Sequence, residues 1–491
     1  MTAIDAAVGA RRSTVSHAAA HPAPQPATTA TAPARDRAID AARGILLLVV
    51  VALHGVMVGV GIGPAGPELG NALEHTAGFA AASWLVQVMP LFFVVGGFAS
   101  YTHWRRLRGR GASATDYVRS RVDRLLRPAV AMVAVVAGAL AALALAGLPA
   151  ELVETAGFRI GQPLWFLAVY LGVSGLVPWM VRLHERAPLR TIAALAAVAI
   201  AIDTTRFATG LDGIGFANLL VVWLLMQQLG FLLADGSVDR MPVRLRVAAA
   251  VGALGLLVAI TLVGPYDPDM YENLNPPTTA LVLLGVAQLA LLSIVRPALA
   301  RFAERPRIAR AVGAVNERSM TIYLWHLPVM VLLAGLLLVG NAVAGLSVPD
   351  PLGAEWWATR PVWLVAVGLA LWPVVRAFER LERGRPRTAG TAGTVGAAGL
   401  PVAPVARPAV APTAVAVVAG VVGTGVLLVF GFTPLPALLA LALFLVARRL
   451  GRGAADAARG PRGPRAARAP RDQRGSRRSG TATAAIDAAS A

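Results

Sequence analysis

The chain has 491 residues, is 56% hydrophobic and 14% charged, and has a mean hydropathy of +0.64, which excludes a soluble globular domain and describes a protein that crosses lipid many times. Cysteine is absent, which excludes disulfides, a thiolate nucleophile and a cysteine metal site. The net charge of +19 is carried by 45 arginines and no lysine. In a soluble protein it would suggest nucleic acid; here its distribution reads as topology, and no nucleic-acid partner is expected.

Residues 1–34, rich in Ala, Pro and Thr, are expected to form a disordered cytoplasmic N-terminus; they lack the uninterrupted apolar stretch of a signal peptide. Apolar runs of about 17–22 residues, the length that crosses a hydrocarbon core, then recur. They predict ten spans near Gly44–Gly61, Phe79–Ser100, Ala129–Leu148, Leu164–Val181, Thr191–Ala208, Ile214–Leu233, Leu245–Val263, Thr279–Val295, Met320–Val339 and Pro361–Phe378. The fifth has the weakest pattern, because its clean apolar stretch ends at Ile202, before Asp203 and Arg206. Together they make a ten-span domain over residues 35–387. A linker rich in Ala, Gly, Pro and Thr follows (388–412). A second apolar block (413–447) is divided by Pro434 and Pro436 into two short segments and reads as a hairpin. Residues 448–491 read as a disordered, Arg-rich cytoplasmic tail, which either lies on anionic headgroups or only fixes orientation. The expected fold class is an all-α polytopic membrane protein: a ten-helix transmembrane core plus a C-terminal hydrophobic hairpin.

Arginine placement tests that count. With the N-terminus inside, 42 of the 45 arginines fall in inner segments, and only Arg159, Arg206 and Arg360 in outer loops. This asymmetry favours both termini in the cytoplasm and an even number of crossings in the C-terminal block. The absence of lysine and the high alanine content point to a GC-rich bacterial genome, and so to a bacterial plasma membrane.

The first span reads Arg43-GILLLVVVAL-His54. An ionisable side chain at membrane depth is costly and usually functional. Eleven residues at 1.5 Å each carry the imidazole roughly 16 Å past the arginine, and eleven steps of 100° return it to within about 20° of the same face. A polar track running inward from one surface suits membrane-embedded group transfer. The structural alternative is a histidine hydrogen-bonded to a neighbouring helix.

Four further features carry possible chemistry. The loop between the second and third spans holds eight arginines from Arg105 to Arg127, more than orientation requires. Arginine forks suit phosphate oxygens, and Arg121 and Arg124 lie one turn apart, facing one way. Any single one of these arginines equally serves topology. In MPLFFVVGGF (89–98), Gly96-Gly97 permits close approach of a ligand or of another helix. Trp165, in PLWFL, falls at the outer end of the fourth span, where an interfacial anchor is the default reading. In YLWHLP (323–328), His326 sits about two turns into the ninth span, where an interhelical hydrogen bond is the default.

Taken in order, Asp40-AARG, Arg43 ten residues ahead of His54, FFVVGGF, Arg121-VDRLLRP, LWFL and IYLWHLP resemble the acyltransferase-3 family of integral membrane O-acyltransferases, over roughly residues 35–385. Family members commonly read SGF where this chain has Gly96-Gly97-Phe98, so that serine hydroxyl is absent here. The hairpin and the Arg tail are additions, and no soluble SGNH-type esterase domain is expected after the core. The resemblance implies transfer of an acyl group, most simply acetyl, from cytoplasmic acyl-CoA to a hydroxyl-bearing acceptor: an envelope glycan, a lipid or a secondary metabolite. It implies no metal. His54 and Arg43 match the family's essential pair, and Arg121 and Arg124 its loop arginines. Asp40, Trp165, Tyr323 and His326 occupy further motif positions. A neutral imidazole at mid-membrane suits removal of the acceptor's proton, with Arg43, Arg121 and Arg124 on the donor's phosphates; whether His54 acts as a base or carries the acyl group stays open.

The rival class is a transporter or flippase for an acylated or glycosylated product. Against it, the sequence places no ion-coupling acid inside a span, the acidic residues being concentrated in loops. A scaffold working through its arginine tail would leave His54 unexplained.

The arginine asymmetry predicts that phosphatase fusions at Glu68 and Asp269 report outside, and that a fluorescent protein at the C-terminus reports inside. A C-terminus reporting outside would replace twelve crossings by eleven.

Overall fold

The computed structural model describes residues 36–63, 66–74, 76–383 and 410–457. The chain begins with α1 (Arg37–Met57), a short antiparallel pair β1 (Val58–Gly63) and β2 (Gly66–Asn71), α2 (Ala77–Val86), α3 (Met89–Arg108) and α4 (Ala114–Leu145). Next come α5 (Ala150–Gly161), α6 (Leu164–Arg186), α7 (Pro188–Thr209), α8 (Asp212–Gly215), α9 (Asn218–Ala234) and α10 (Ser237–Arg240). They are followed by α11 (Val243–Leu262), α12 (Thr279–Glu304), α13 (Pro306–Glu317), α14 (Ser319–Ala344), α15 (Ala354–Arg383), α16 (Val410–Phe430) and α17 (Pro434–Ala457).

Among the described residues, twelve helices are long and apolar enough to cross a membrane. Each of the ten expected core spans falls in one of them, and the C-terminal block supplies the other two, Val410–Phe430 and Pro434–Gly451. The protein is therefore an all-α polytopic membrane protein. Three boundaries differ from expectation. The first span stops at Met57, because the Gly- and Pro-rich stretch that follows pairs as β1 and β2, in register from Val58↔Asn71 to Gly63↔Gly66. Helix α16 starts at Val410, inside the expected linker. Helix α17 runs to Ala457, so Arg448 and Arg449 are helical where a tail was expected. The rest of the linker, the N-terminal 34 residues and the tail beyond residue 457 lie outside the described residues.

In hydrocarbon every backbone N–H and C=O needs a partner within the protein. The second span meets this at a break between α2 and α3. There Gln288 of α12 accepts from the Leu91 N–H at 3.1 Å and donates to the Gln87 carbonyl at 2.8 Å. Gln87 in turn accepts from the Met89 N–H and donates to the Met270 carbonyl, both at 3.2 Å. The side chains of Gln87 and Gln288 thus replace the missing turn, and α3 starts deep in the bundle.

Helix α9 is the most buried of the spans, and it meets α3 backbone to backbone. A Cβ on Gly97 would lie 2.5 Å from the Gln227 carbonyl oxygen, and one on Gly230 would overlap the Val94 carbonyl. Beside this contact Phe93 stacks on Trp223 with ring centres 4.4 Å apart. The packing reading of the glycine pair therefore belongs to Gly97.

Asp203, inside the expected fifth span but past its clean apolar stretch, is buried in α7. Its carboxylate accepts from Asn218 Nδ2 (2.8 Å), the Tyr266 hydroxyl (3.1 Å), and the Thr279 N–H (2.7 Å) and hydroxyl (2.6 Å). A span does carry an acid, but it is one tied to the first residue of α12, where a negative charge meets the positive end of the helix.

The hairpin α16–α17 packs onto α4 and α6. Gly420 lies against Leu126 and Leu171, and Gly175 against Val417. Arg448 of α17 reaches Asp123 of α4 at 3.2 Å.

The α3–α9 contact predicts that Gly230→Ala destabilises the protein by about 1–3 kcal/mol through overpacking. The check is thermal unfolding in detergent: its midpoint should fall. Gly138→Ala, whose Cβ meets nothing within 4 Å, should leave the midpoint unchanged or raise it slightly.

Candidate functional site

A cavity of about 290 Å³ lies among α1, α3, α4, α6, α14 and α15. Its two ends differ in chemistry. One end is lined by Arg43, His103, Arg121, Arg124, Ser319 and Glu382, the other by Val88, Met89, Pro163, Trp165, Tyr271 and Leu274. His103 stands fourteen residues beyond Met89 on α3, so the cavity extends about 21 Å along that helix. His54, Phe92, Gly96, Phe166, Tyr170 and Tyr323 complete the wall.

The arginine end is built by five helices. Helix α4 opens with a reciprocal cap, in which Ser113 Oγ accepts from the Asp116 N–H and the Asp116 carboxylate accepts from the Ser113 N–H, both at 3.1 Å. Two turns later Arg121 and Arg124 project from one face of that helix into the cavity, with the Arg121 guanidinium 5.2 Å from the centre of the Tyr117 ring. Arg43 of α1 donates to Ser319 Oγ at 2.9 Å and to the Asn316 carbonyl at 3.3 Å. Asn316 donates to the Asp40 carbonyl at 2.7 Å, fixing the end of α13 against α1. Glu382 of α15 accepts from the N–H groups of Met320 (3.0 Å) and Thr321 (2.9 Å) and from the Thr321 hydroxyl (2.8 Å). It is thus the cap of α14. Three guanidinium groups against one committed carboxylate leave this end electropositive, and such forks match phosphate oxygens.

Deeper in, His54 Nδ1 lies 2.8 Å from His326 Nε2, the two rings inclined by only 17°. His326 is fully buried, and its Nδ1 lies 2.5 Å from the carbonyl oxygen of Tyr323. The Tyr323 hydroxyl donates to the Pro163 carbonyl at 2.7 Å, joining α14 to the start of α6.

At the far end Tyr271 lies in the segment between α11 and α12. Burial pushes its phenol well above the ordinary value, and the nearby Asp269 carboxylate adds to the effect, so the hydroxyl stays neutral. The rest of this end is aromatic and apolar.

The structure gathers most of the residues singled out from the sequence. Arg43, His54, Arg121, Arg124, Trp165 and Tyr323 all line the cavity. His326 stands directly behind His54, so its expected interhelical hydrogen bond exists and its partner is the other candidate histidine. Asp40 does not line the cavity; its backbone carbonyl holds Asn316. Trp165 lines the cavity, its ring stacked on that of Trp223 with centres 5.8 Å apart, and the twelve-residue α5 stands just before its helix. Gly96 lines the cavity, its Cβ direction pointing at Tyr170 3.5 Å away, which is the ligand-approach reading of that glycine.

Sequence reasoning missed His103, Tyr170, Ser319, Glu382 and Tyr271. His103 was present among the basic residues of THWRR, and its spacing from Gly96, seven residues, would have put both on one face. Asp203 is outside the cavity, and its oxygens are occupied by protein donors, so it is not placed to couple an ion to transport.

A family model described as an acyltransferase domain matches residues 36–375, from α1 into α15, and stops short of the hairpin and of Glu382. No curated protein and no solved structure matches the chain.

Proposed function

The chain belongs to the acyltransferase-3 family and is an acyltransferase of the membrane, and on that premise we propose that it moves an acyl group, most simply acetyl, from cytoplasmic acyl-CoA to a hydroxyl of an envelope glycan, lipid or metabolite. The observation that carries the reading is the polarity of the cavity: three arginines at one end, an imidazole in the wall and an aromatic far end. The arginines suit the donor's phosphates. The narrow interior suits the uncharged pantetheine arm, which brings the thioester to His54, and the aromatic end suits the acceptor.

In this reading His54 is a general base. Its ring takes the proton from the acceptor hydroxyl as that oxygen bonds to the acyl carbon. The carbon–sulfur bond breaks, and the CoA thiolate recovers the proton from the imidazole. With both substrates brought to one imidazole, transfer is direct and needs no acyl-enzyme. The positive-inside pattern supports the arginine end at the cytoplasmic face of a bacterial plasma membrane, with both termini inside.

Losing one charge-assisted phosphate contact costs about 1.5–3 kcal/mol. Arg124→Ala should therefore weaken CoA binding by roughly ten- to a hundredfold, read by calorimetry on purified protein. Unchanged affinity would assign this arginine to topology alone.

His54→Ala should leave insertion and CoA affinity intact and lower acyl transfer by about 10²–10⁴. The assay is radiolabelled acetyl-CoA with membranes at matched expression, with envelope glycans and lipids as acceptors. Wild-type transfer by the variant would remove His54 from the chemistry. A labelled acyl-protein trapped in the wild type would replace the base by a covalent carrier. If neither protein consumes acetyl-CoA with any acceptor, a transporter of the acylated product becomes the better reading.

A further inference from the structure

We propose that His326 is a positioning residue that fixes the tautomer of His54, holding its Nδ1 protonated and leaving its Nε2 with a free lone pair toward the cavity. The inference rests on the reading of His54 as the base, and it follows from the direction of two hydrogen bonds. The Tyr323 carbonyl oxygen has no hydrogen and only accepts, so His326 Nδ1, 2.5 Å away, is the protonated nitrogen. In a neutral imidazole the other nitrogen then carries the lone pair. That nitrogen, His326 Nε2, lies 2.8 Å from His54 Nδ1, which must therefore donate. With its proton on Nδ1, His54 has an unprotonated Nε2.

The line from carbonyl to His326 to His54 performs the task that a buried carboxylate performs for histidine in nucleophile–base–orienter triads, which is to select one tautomer and hold one ring orientation. Here the orienting group is a neutral ring. A carboxylate in its place would be an uncompensated charge at membrane depth before the reaction. The packing enforces the same geometry. His326 is fully buried, and its bond to Tyr323 lies within one turn of α14. That turn is tied to α6 through the Tyr323 hydroxyl. When His54 Nε2 takes the acceptor's proton, the resulting imidazolium still donates through Nδ1 to His326 Nε2. The proton later returned to the thiolate is the one on Nε2, and the Nδ1 proton stays in place throughout.

The test is ¹⁵N magnetic resonance of the full chain, labelled at its histidine rings and held in lipid nanodiscs. Signals from His54 are identified by their loss in His54→Ala. The expected wild-type pattern is a protonated Nδ1 and an unprotonated Nε2 on His54. His326→Phe keeps a ring but removes the acceptor. Its His54 signals should divide between both tautomers, and kcat should fall by up to the ~10²–10⁴ that base catalysis contributes, with the KM for acetyl-CoA unchanged. His326→Gln, which retains an accepting oxygen, should restore the single tautomer and much of kcat.

A wild-type His54 with its proton on Nε2 overturns the proposal, and this measurement does not require the His326 variants to fold. An unchanged tautomer in His326→Phe overturns it as well. The expected tautomer in a protein that transfers no acetyl group leaves this inference standing and removes the functional reading instead.

Discussion

A backbone or side-chain polar group without a partner in hydrocarbon costs several kcal/mol, and the architecture of this protein follows from how that cost is avoided. Twelve apolar helices satisfy most of it internally. Two of the exceptions border the cavity. The break between α2 and α3 exposes backbone groups, and Gln288 meets them. The start of α14 exposes N–H groups, and Glu382 meets them. Each repair also shapes the cavity: the first puts Val88 and Met89 in its far wall, and the second puts a carboxylate beside the arginines. A cavity in this bundle forms where helices begin or break, and side chains from other helices make those places tolerable.

The same logic divides the residues of α4. Arg121 and Arg124 face the cavity, while Asp123 and Arg127 pair with each other and Asp123 also meets Arg448 of α17. Alternate positions of one charged turn therefore serve two neighbours. The hairpin lies outside the matched acyltransferase region, yet it packs along the helix that carries the arginine pair and along the one that carries Trp165 and Tyr170. Its glycines, Gly420 against Leu126 and Leu171, let it approach closely enough to hold both helices in place. Its structural effect falls on the site even though none of its residues lines the cavity.

What could be read from the sequence was what one helix carries by itself. Hydropathy located the spans, and helical spacing put Arg43 and His54 on one face and Arg121 with Arg124 on another; all four line the cavity. What could not be read was pairing between helices. The His54–His326 bond joins residues 272 apart, and no periodicity encodes it. The place of Trp165 in the cavity wall was hidden because a tryptophan near a span end reads first as an interfacial residue, and the twelve residues of α5 before its helix carry too little hydrophobicity to show as a span. The role of Asp203 was hidden for a related reason. Its four donors come from α9, the segment after α11, and the first residue of α12, so nothing nearby in sequence announces that a carboxylate is satisfied there. Glu382 hid among the arginines that end the tenth span.

The order of groups along the cavity has its own physical sense. Guanidinium groups are charged at any physiological pH and are tolerated where water or phosphate reaches them, so they belong at a mouth. Beyond the mouth a base must offer a lone pair without bringing a permanent charge into lipid. Among side chains that titrate near neutrality, imidazole does this in its uncharged state. A single buried imidazole would still have two tautomers and freedom to rotate, and the tautomer with its proton on the cavity-facing nitrogen would present N–H, not a lone pair. Pairing it with a second imidazole whose own proton is committed to a backbone carbonyl removes that ambiguity with uncharged groups alone. The arginines at one end and the histidine pair within the wall are thus two answers to one constraint: charge is placed where solvent or substrate can meet it, and polarity without charge is used where neither can.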